Sequence, residues 1–273
     1  MLTDELKLAT RIAKEAGQRI LELYHGEIEV KMKGTADPVT EADTRANAYI
    51  VGQIQQAFPG DGIVAEENVD HGDSLGKERI WYVDPLDGTK EFIAKNGEFS
   101  VMIGLTIGGN SKMGVVYQPV GDKLYSGVVG VGASLRVGDR TTALQVSETA
   151  SMDSVRLVVS RSHRSQATDD LVAQLGIQHE VCSGSVGLKV GMIAERRADL
   201  YVHLSDRSSA WDACGPEAIL VAAGGCFRDL AGEPFVYGGT EMANRRGILA
   251  CSSEILDEVL PVASKLGRQL KLV

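Results

Sequence analysis

Apolar or small residues recur at Leu6, Ala9, Ala13, Ala16, Ile20 and Leu23, the three-and-four spacing that gives a helix one buried face. The pattern predicts a helix that ends near Gly26. Residues 31–38, KMKGTADP, are polar and turn-rich. Thr40 then suits the N-cap of a second helix whose apolar side is Ala46, Tyr49, Ile50, Ile54 and Ala57, stopped by the Pro-Gly turn after Phe58. Beyond it the period shortens. Runs at 63–67 and 80–84, then SVMIGLTI, MGVVYQPV, KLYSGVVG and GASLRV, are parted by Gly, Asp or Pro and predict a meander of strands to about Val146. From there strand-like and helix-like segments alternate to a terminal helix from Glu254, the grammar of an α/β layer. No repeat or low-complexity linker intervenes. The chain therefore reads as two closely packed units, an α+β half over 1–147 and an α/β half over 148–273.

Composition narrows the class. The 273 residues carry 37 acidic against 28 basic side chains, a formal charge of −9, with 44% hydrophobic residues. A chain of this size and make-up buries a large core and is not disordered. An acidic balance disfavours a general nucleic-acid surface, which works by counterion release from a basic face, and equally a polybasic membrane anchor. No run approaches the roughly 20 apolar residues of a membrane helix, and the start MLTDELKLATRIAKEAG lacks the order of a signal peptide. The expectation is a cytoplasmic protein. Cys182, Cys214, Cys226 and Cys251 have no CxxC spacing, so buried reduced thiols are expected rather than a zinc site or disulfides.

The chemistry concentrates in Asp84-Pro85-Leu86-Asp87-Gly88-Thr89, at the end of an apolar run. If proline turns the chain out of its sheet, Asp84 and Asp87 converge with the Leu86 carbonyl between them, an all-oxygen set suited to a hard divalent cation. Gly88 lets a phosphate approach the backbone, and Thr89 adds a hydroxyl. The same six residues also describe an Asp-Pro turn running into an Asp-Gly turn. Further carboxylates stand at Glu66 and Glu67, ending a strand-like run, at Asp43 in TEAD and at Asp212 after Trp211. Singly, Asp43 and Asp212 are ordinary helix N-terminal acids. GDSLGKE at 72–78 departs from a phosphate loop in spacing and in its last residue, and reads as a surface turn.

Taken in order, VTEAD, AEE, WYVDPLDGTKEF, SRSH, the GS at Ser185 and WDACGPEAILVAAGG resemble the lithium-sensitive, magnesium-dependent phosphatases that include inositol monophosphatase and 3′(2′),5′-bisphosphate nucleotidase. The resemblance covers nearly the whole chain. It implies a layered αβαβα sandwich, α+β or α/β in class, in which Glu66, Asp84, the Leu86 carbonyl, Asp87 and Asp212 hold two or three Mg²⁺ ions, Asp84 bridging two. It implies that a water is activated near Thr89, whose hydroxyl the residue matching Asp43 orients, and attacks phosphorus in line, with Glu66 at the same centre. Gly88 and Thr89 would cradle the phosphate.

Lys90-Glu91-Phe92, SRSHR at 160–164 and the GS with Lys189 look more like the nucleotidase than inositol monophosphatase, which implies the 3′-phosphate of 3′-phosphoadenosine 5′-phosphate as the group removed. In that pattern His163 and Lys189 lie beside adenine and the 5′-phosphate, with Ser185 and Asp212 near the substrate, and Lys189 or Arg161 supplies a cation for the second phosphate. Blander readings stand beside these: His163 as a solvated turn residue, Lys189 on a helix's wet face, Ser185 as an N-cap, Glu67 in solvent opposite Glu66. His203 and Arg207 match no particular role. Lys33 lies on a loop that is mobile in relatives, where approach to a third metal is one reading and a solvated loop lysine the favoured one. The alternatives are an inositol or sugar (bis)phosphatase with the same metal site and, less favoured, a non-catalytic RNA- or polymerase-associated regulator. The expected partner is a phosphorylated small molecule, with neither nucleic acid nor membrane, and a homodimer fits the family.

Overall fold

The computed structural model describes residues 2–26, 28–32, 38–68, 71–148 and 151–273. Helix α1 (Thr3–Tyr24) buries Ala9, Ile12, Ala13, Ala16 and Ile20, the face its periodicity predicts. Where the sequence reads as a polar loop, β1 (Val30–Met32) and β2 (Pro38–Thr40) pair antiparallel; three-residue strands with β1 wholly exposed carry no alternation to detect. Lys33 lies outside the described residues. Thr40 caps α2 (Glu41–Ala57), its hydroxyl accepting the Ala42 N–H at 3.2 Å.

A seven-stranded sheet follows: β3 (Gly62–Ala65), β4 (Arg79–Asp87), then past the short helix α3 (Thr89–Ile93) the strands β5 (Ser100–Ile107), β6 (Asn110–Gln118), β7 (Lys123–Val128), β8 (Gly132–Val137) and β9 (Arg140–Leu144). They lie side by side in chain order, with β3 and β4 parallel and the rest antiparallel. The second sheet has the order β11-β10-β12-β14-β13, from β10 (Arg156–Ser160), β11 (His179–Ser183), β12 (Leu200–His203), β13 (Gly225–Arg228) and β14 (Ile248–Ser252), with α4 (Gln166–Leu175), α5 (Val186–Ala194), α6 (Ala210–Ala222) and α7 (Leu256–Gln269) between or after them. Its β10 is parallel to β11 and β12, while β14 runs antiparallel to β12 and β13.

The packing makes five layers. Helices α1 and α2 cover one face of the first sheet, α5 and α6 fill the space between the sheets, and α4 with α7 close the second. Apolar cores hold the layers together, one under α1 and α2 around Ile12, Ile50, Trp81 and Phe99, one on both faces of the α5 and α6 layer around Tyr125, Ile193, Ile219 and Phe227, and one under α4 and α7 around Leu171, Leu249, Val259 and Leu266. Burying an Ile or Leu in such a layer stabilises the fold by roughly 1.5–3 kcal/mol. This is the αβαβα sandwich that the family resemblance implies.

Helix α6 approaches the first sheet closely because three glycines lie in register across it, Gly104 opposite Gly114 and Gly114 opposite Gly127. A Cβ on Gly114 would stand 2.0 Å from the Gly215 carbonyl oxygen, one on Gly104 2.5 Å from Cys214 Sγ, and one on Gly127 2.8 Å from Ile219 Cα. The helix that carries Asp212 is seated in this trough. All four cysteines are free; Cys214 and Cys251 are buried as expected, Cys182 is exposed and Cys226 half-buried.

Candidate active site

Residues three apart in a regular strand point to opposite faces of the sheet, so Asp84 and Asp87 need a local irregularity to converge. Pro85 does not turn the chain out of the sheet, as the sequence suggests; β4 continues to Asp87. Asp84 pairs with Met102 and Asp87 with Ser100, so β4 advances three residues while β5 advances two. The extra residue is a bulge, which tolerates a proline that has no N–H for the ladder and restores the parity of the two aspartates. The Leu86 N–H closes the turn onto Asp84 Oδ1 at 2.9 Å. Gly88 follows with φ 95°, a left-handed backbone that favours glycine, and caps α3.

Asp212 arrives from the other half, in the first turn of α6, where its carboxylate accepts the Ser209 N–H at 2.6 Å. One carboxylate oxygen from each of Asp84, Asp87 and Asp212 lies within 4.8 Å of the others. Glu66 and Glu67 sit in a turn just past β3 rather than in the strand, so strand alternation does not part them. Glu66 hydrogen-bonds to the Asp84 carboxyl, and its charge acts on Asp84 and Asp212. Burial and the neighbouring carboxylates hold Asp84 and Asp212 well above the usual carboxylate range. For Asp87 burial also wins, opposed by Lys189 and by hydrogen bonds from Ser185 and the Gly187 N–H. Converged acidic oxygens that repel one another suit a divalent cation such as Mg²⁺.

Next to them Thr89 Oγ1 lies 3.1 Å from Asp43 Oδ1 and 3.3 Å from the Leu86 carbonyl oxygen. The other oxygen of Asp43 accepts from the Thr40 N–H and hydroxyl at 2.7 and 2.6 Å. Asp43 is buried, and burial outweighs those bonds to push its carboxyl upward.

Ser185 is the N-cap of α5, accepting the Leu188 N–H, and also donates to Asp87. Lys189 is not on a wet helix face: it is 2% exposed, donates to the Gly184 carbonyl, and lies 5.2 Å from the Tyr201 ring centroid. Burial lowers its ammonium, while Asp87, Glu91, Asp212 and Glu98 hold it up. His163 is exposed, with Nε2 2.8 Å from Lys90 Nζ. An ammonium only donates, so Nε2 is the acceptor. Burial and Lys90 lower the imidazole. Arg161 is not a spare fork for a phosphate, because the paired edge formed by its Nε and one terminal nitrogen already grips the two Glu98 carboxylate oxygens at 2.6 Å. Arg207 is exposed. His203 Nε2 is enclosed with no hydrogen-bond partner among the described residues, and burial drives its pKa down to about 4.

The placement of two residues escapes sequence reading. Glu91 is 4% exposed and takes a hydrogen bond from Ser162, and Tyr201 lies against Lys189. Glu91 enters the sequence reading only within Lys90-Glu91-Phe92, which gives no sign that its side chain is buried. A cavity of about 450 Å³, lined by Tyr82, Phe235, Tyr237 and Met242 among others, includes none of the clustered carboxylates. Among the described residues no helix is long and apolar enough to cross a membrane.

A model of the inositol monophosphatase family matches residues 1–266. The 3′(2′),5′-bisphosphate nucleotidase CysQ of Escherichia coli (strain K12) is 34% identical over 230 residues, 83% of this chain and 91% of that protein. Inositol monophosphatase 1 of Rattus norvegicus is 28% identical over 279 residues, 97% and 93% of the two chains. Among solved structures, CysQ from Bacteroides thetaiotaomicron, a bacterial member of the same family, matches with a TM-score of 0.79 at 30% identity, covering 92% of this chain and 97% of that one. The extragenic suppressor protein suhB from Bartonella henselae shares the fold, with a TM-score of 0.82 at 24% identity over 96% and 99% of the chains.

Proposed function

The chain belongs to the inositol monophosphatase family of metal-dependent phosphatases, and from that premise we propose that it removes the 3′-phosphate of 3′-phosphoadenosine 5′-phosphate, giving AMP and phosphate. The observation that carries this reading is the buried Lys189 ammonium within electrostatic reach of Asp87 and Asp212, with His163 in turn within its reach and Lys90 beside His163. A substrate with a second, non-reacting phosphate needs cationic and donor groups beside its metal centre, and an uncharged alcohol such as inositol does not. The nucleotidase CysQ relatives point the same way.

Glu66, Asp84, the Leu86 carbonyl, Asp87 and Asp212 are the residues that would hold two or three Mg²⁺ ions. When bound, Mg²⁺ lowers the pKa of a coordinated water and neutralises charge on the phosphoryl oxygens. The chain's own residues supply the rest. Thr89 takes the proton of the attacking water as its hydroxyl passes one to Asp43, a carboxylate kept basic by burial and already aligned at 3.1 Å. Backbone N–H groups at Gly88 and Thr89 hold the phosphate, and Ser185 with the Gly187 N–H fixes Asp87. Lys189 and His163 face the second phosphate and base.

The test is phosphate release from 3′-phosphoadenosine 5′-phosphate with Mg²⁺ and with EDTA, against inositol 1-phosphate and fructose 1,6-bisphosphate. Metal-dependent release favouring the nucleotide is expected. Release from inositol 1-phosphate alone, or equal kcat/KM on all three, overturns the nucleotide reading and leaves the metal site standing.

A further inference from the structure

Residues 161–163 follow β10 in the second sheet, and three consecutive side chains there are each held by a different residue of the 90–98 segment that follows the Asp84–Asp87 bulge. Arg161 gives two N–H groups to Glu98 at 2.6 Å. Ser162 Oγ donates to Glu91 Oε1 at 2.5 Å, and Lys90 Nζ donates to His163 Nε2 at 2.8 Å. The result is a strap that joins a loop of the second sheet to the segment that follows the clustered aspartates of the first.

The three fastenings are unequal. An exposed Arg-Glu pair and an exposed Lys-His contact each contribute little in water. Glu91 differs because it is buried, and an ionised carboxylate taken out of water is costly unless donors and cations compensate it. Its donor is the Ser162 hydroxyl, and its counter-charge is Lys189. It also packs so tightly on Gly184 that a Cβ there would stand 2.3 Å from Glu91 Cγ. Glu91 therefore touches the strap and the 184–189 segment at once, and Glu98 repeats the pattern by accepting the Ser185 N–H on its backbone oxygen at 3.1 Å while its side chain holds Arg161. Glu91 is not one of the clustered carboxylates, so its place is explained by the strap rather than by the reacting phosphate.

We propose that Glu91 is a positioning residue for substrate selection, which through Ser162 sets the 161–163 strap so that His163 and Lys90 meet the part of the substrate beyond the reacting phosphate. The inference deepens the phosphatase reading above, since it assumes a substrate with such a part. Phosphate esters that end at the reacting group are then indifferent to the strap, and those with a second anionic or hydrogen-bonding group depend on it.

The experiment measures kcat and KM of the wild type, Ser162→Ala, Ser162→Thr, Glu91→Ala and Glu91→Gln on two substrates. One is whichever of 3′-phosphoadenosine 5′-phosphate, inositol 1-phosphate and fructose 1,6-bisphosphate the wild type cleaves best, and the other is phenyl phosphate, which carries no second polar group. Ser162→Ala and Glu91→Ala are expected to raise KM for the first roughly tenfold or more with kcat nearly unchanged, and to leave kcat/KM on phenyl phosphate within about twofold. Ser162→Thr keeps the donor and Glu91→Gln keeps an acceptor, so both are expected to restore KM to within about threefold. The exposed Ser162 keeps the test open if Glu91→Ala fails to fold. Equal losses on both substrates, or no change in KM for Ser162→Ala, overturn the proposal. A best substrate other than the nucleotide overturns the nucleotide reading while the strap is judged on that ester. A wild type that cleaves phenyl phosphate and none of the three overturns both.

Discussion

Asp43 divides its two oxygens between structure and chemistry: Oδ2 closes the cap of α2 on Thr40, and Oδ1 meets the Thr89 hydroxyl. Under the proposed mechanism Thr89→Ala removes only the second contact, so it is expected to lower kcat on the order of 10²-fold while KM moves little. Thr89→Ser keeps the hydroxyl and most of the rate; steady-state kinetics on both variants checks the split, and an unchanged kcat in Thr89→Ala removes Thr89 from the proton path. Asp43, Thr89 and the aspartates were legible in the sequence because each sits in a motif. The burial of Lys189 and Glu91 was not, because it arises where two sheets meet and no local pattern records that meeting. Glu217 is another such residue. It is buried in α6, accepts from the Tyr237 hydroxyl, and burial raises its pKa from 4.5 to about 7. Between those values the folded chain keeps a proton that the unfolded chain has lost, so this contribution to stability is full below about pH 4.5 and is lost as pH rises through 7. Glu217→Gln has no such proton to lose. It is expected to gain on the native protein with rising pH, by up to about 3 kcal/mol at pH 8 and by nothing at pH 4.5. Urea midpoints of the two proteins across that range read the difference, and a constant difference would refute the assignment.

At the level of elements, α6 depends on what the sheet lacks. The trough of Gly104, Gly114 and Gly127 admits the helix backbone, and Gly114→Ala would press a methyl carbon onto the Gly215 carbonyl. Backbone cannot step aside as a side chain can, so a loss of about 3 kcal/mol or more is expected, together with weaker Mg²⁺ binding because Asp212 rides on the displaced helix. Gly52 is the control: it lies inside α2 with nothing within 4 Å of its added Cβ, so Gly52→Ala is expected to stabilise by roughly 0.5–1 kcal/mol. Denaturation of both variants tests the contrast; a Gly114→Ala protein as stable as the parent would mean that α6 is not seated as described. Long periodic segments such as α1, α2 and the main strands were readable from hydrophobic spacing. The pairs β1 and β2, the edge strands β9 and β13 and the five-residue α3 were not, being too short or too exposed to carry a period. The Pro85 bulge also escaped, since a proline in a strand signals an exit as readily as a bulge.

The whole molecule brings its acidic cluster together from distant parts of the chain. Asp84 and Asp87 belong to the first sheet, Glu66 to the turn beside it, and Asp212 to a helix packed between both sheets. Folding thus creates repulsion that the unfolded chain, at the same net charge of −9, does not feel. A cation that binds the folded cluster relieves it and joins two layers, and the unfolded chain offers no comparable site. Linkage then fixes the sign and scale: at a concentration about 100 times its dissociation constant, one Mg²⁺ stabilises the native state by about 2.7 kcal/mol. For a chain of this size that corresponds to a rise in Tm of roughly 5 °C. Thermal melts in EDTA and in millimolar Mg²⁺ at matched ionic strength separate specific binding from screening, which NaCl would reproduce. Asp87→Asn keeps the shape of the side chain and removes one charge, so its melt without metal is expected at or above that of the parent while its Mg²⁺ response shrinks. Activity should fall with that response, by on the order of 10²-fold if an ion is lost. A variant that keeps the full Mg²⁺ shift would exclude Asp87 as a ligand, and a parent protein whose Tm is the same in EDTA and Mg²⁺ would exclude the cluster as the metal centre.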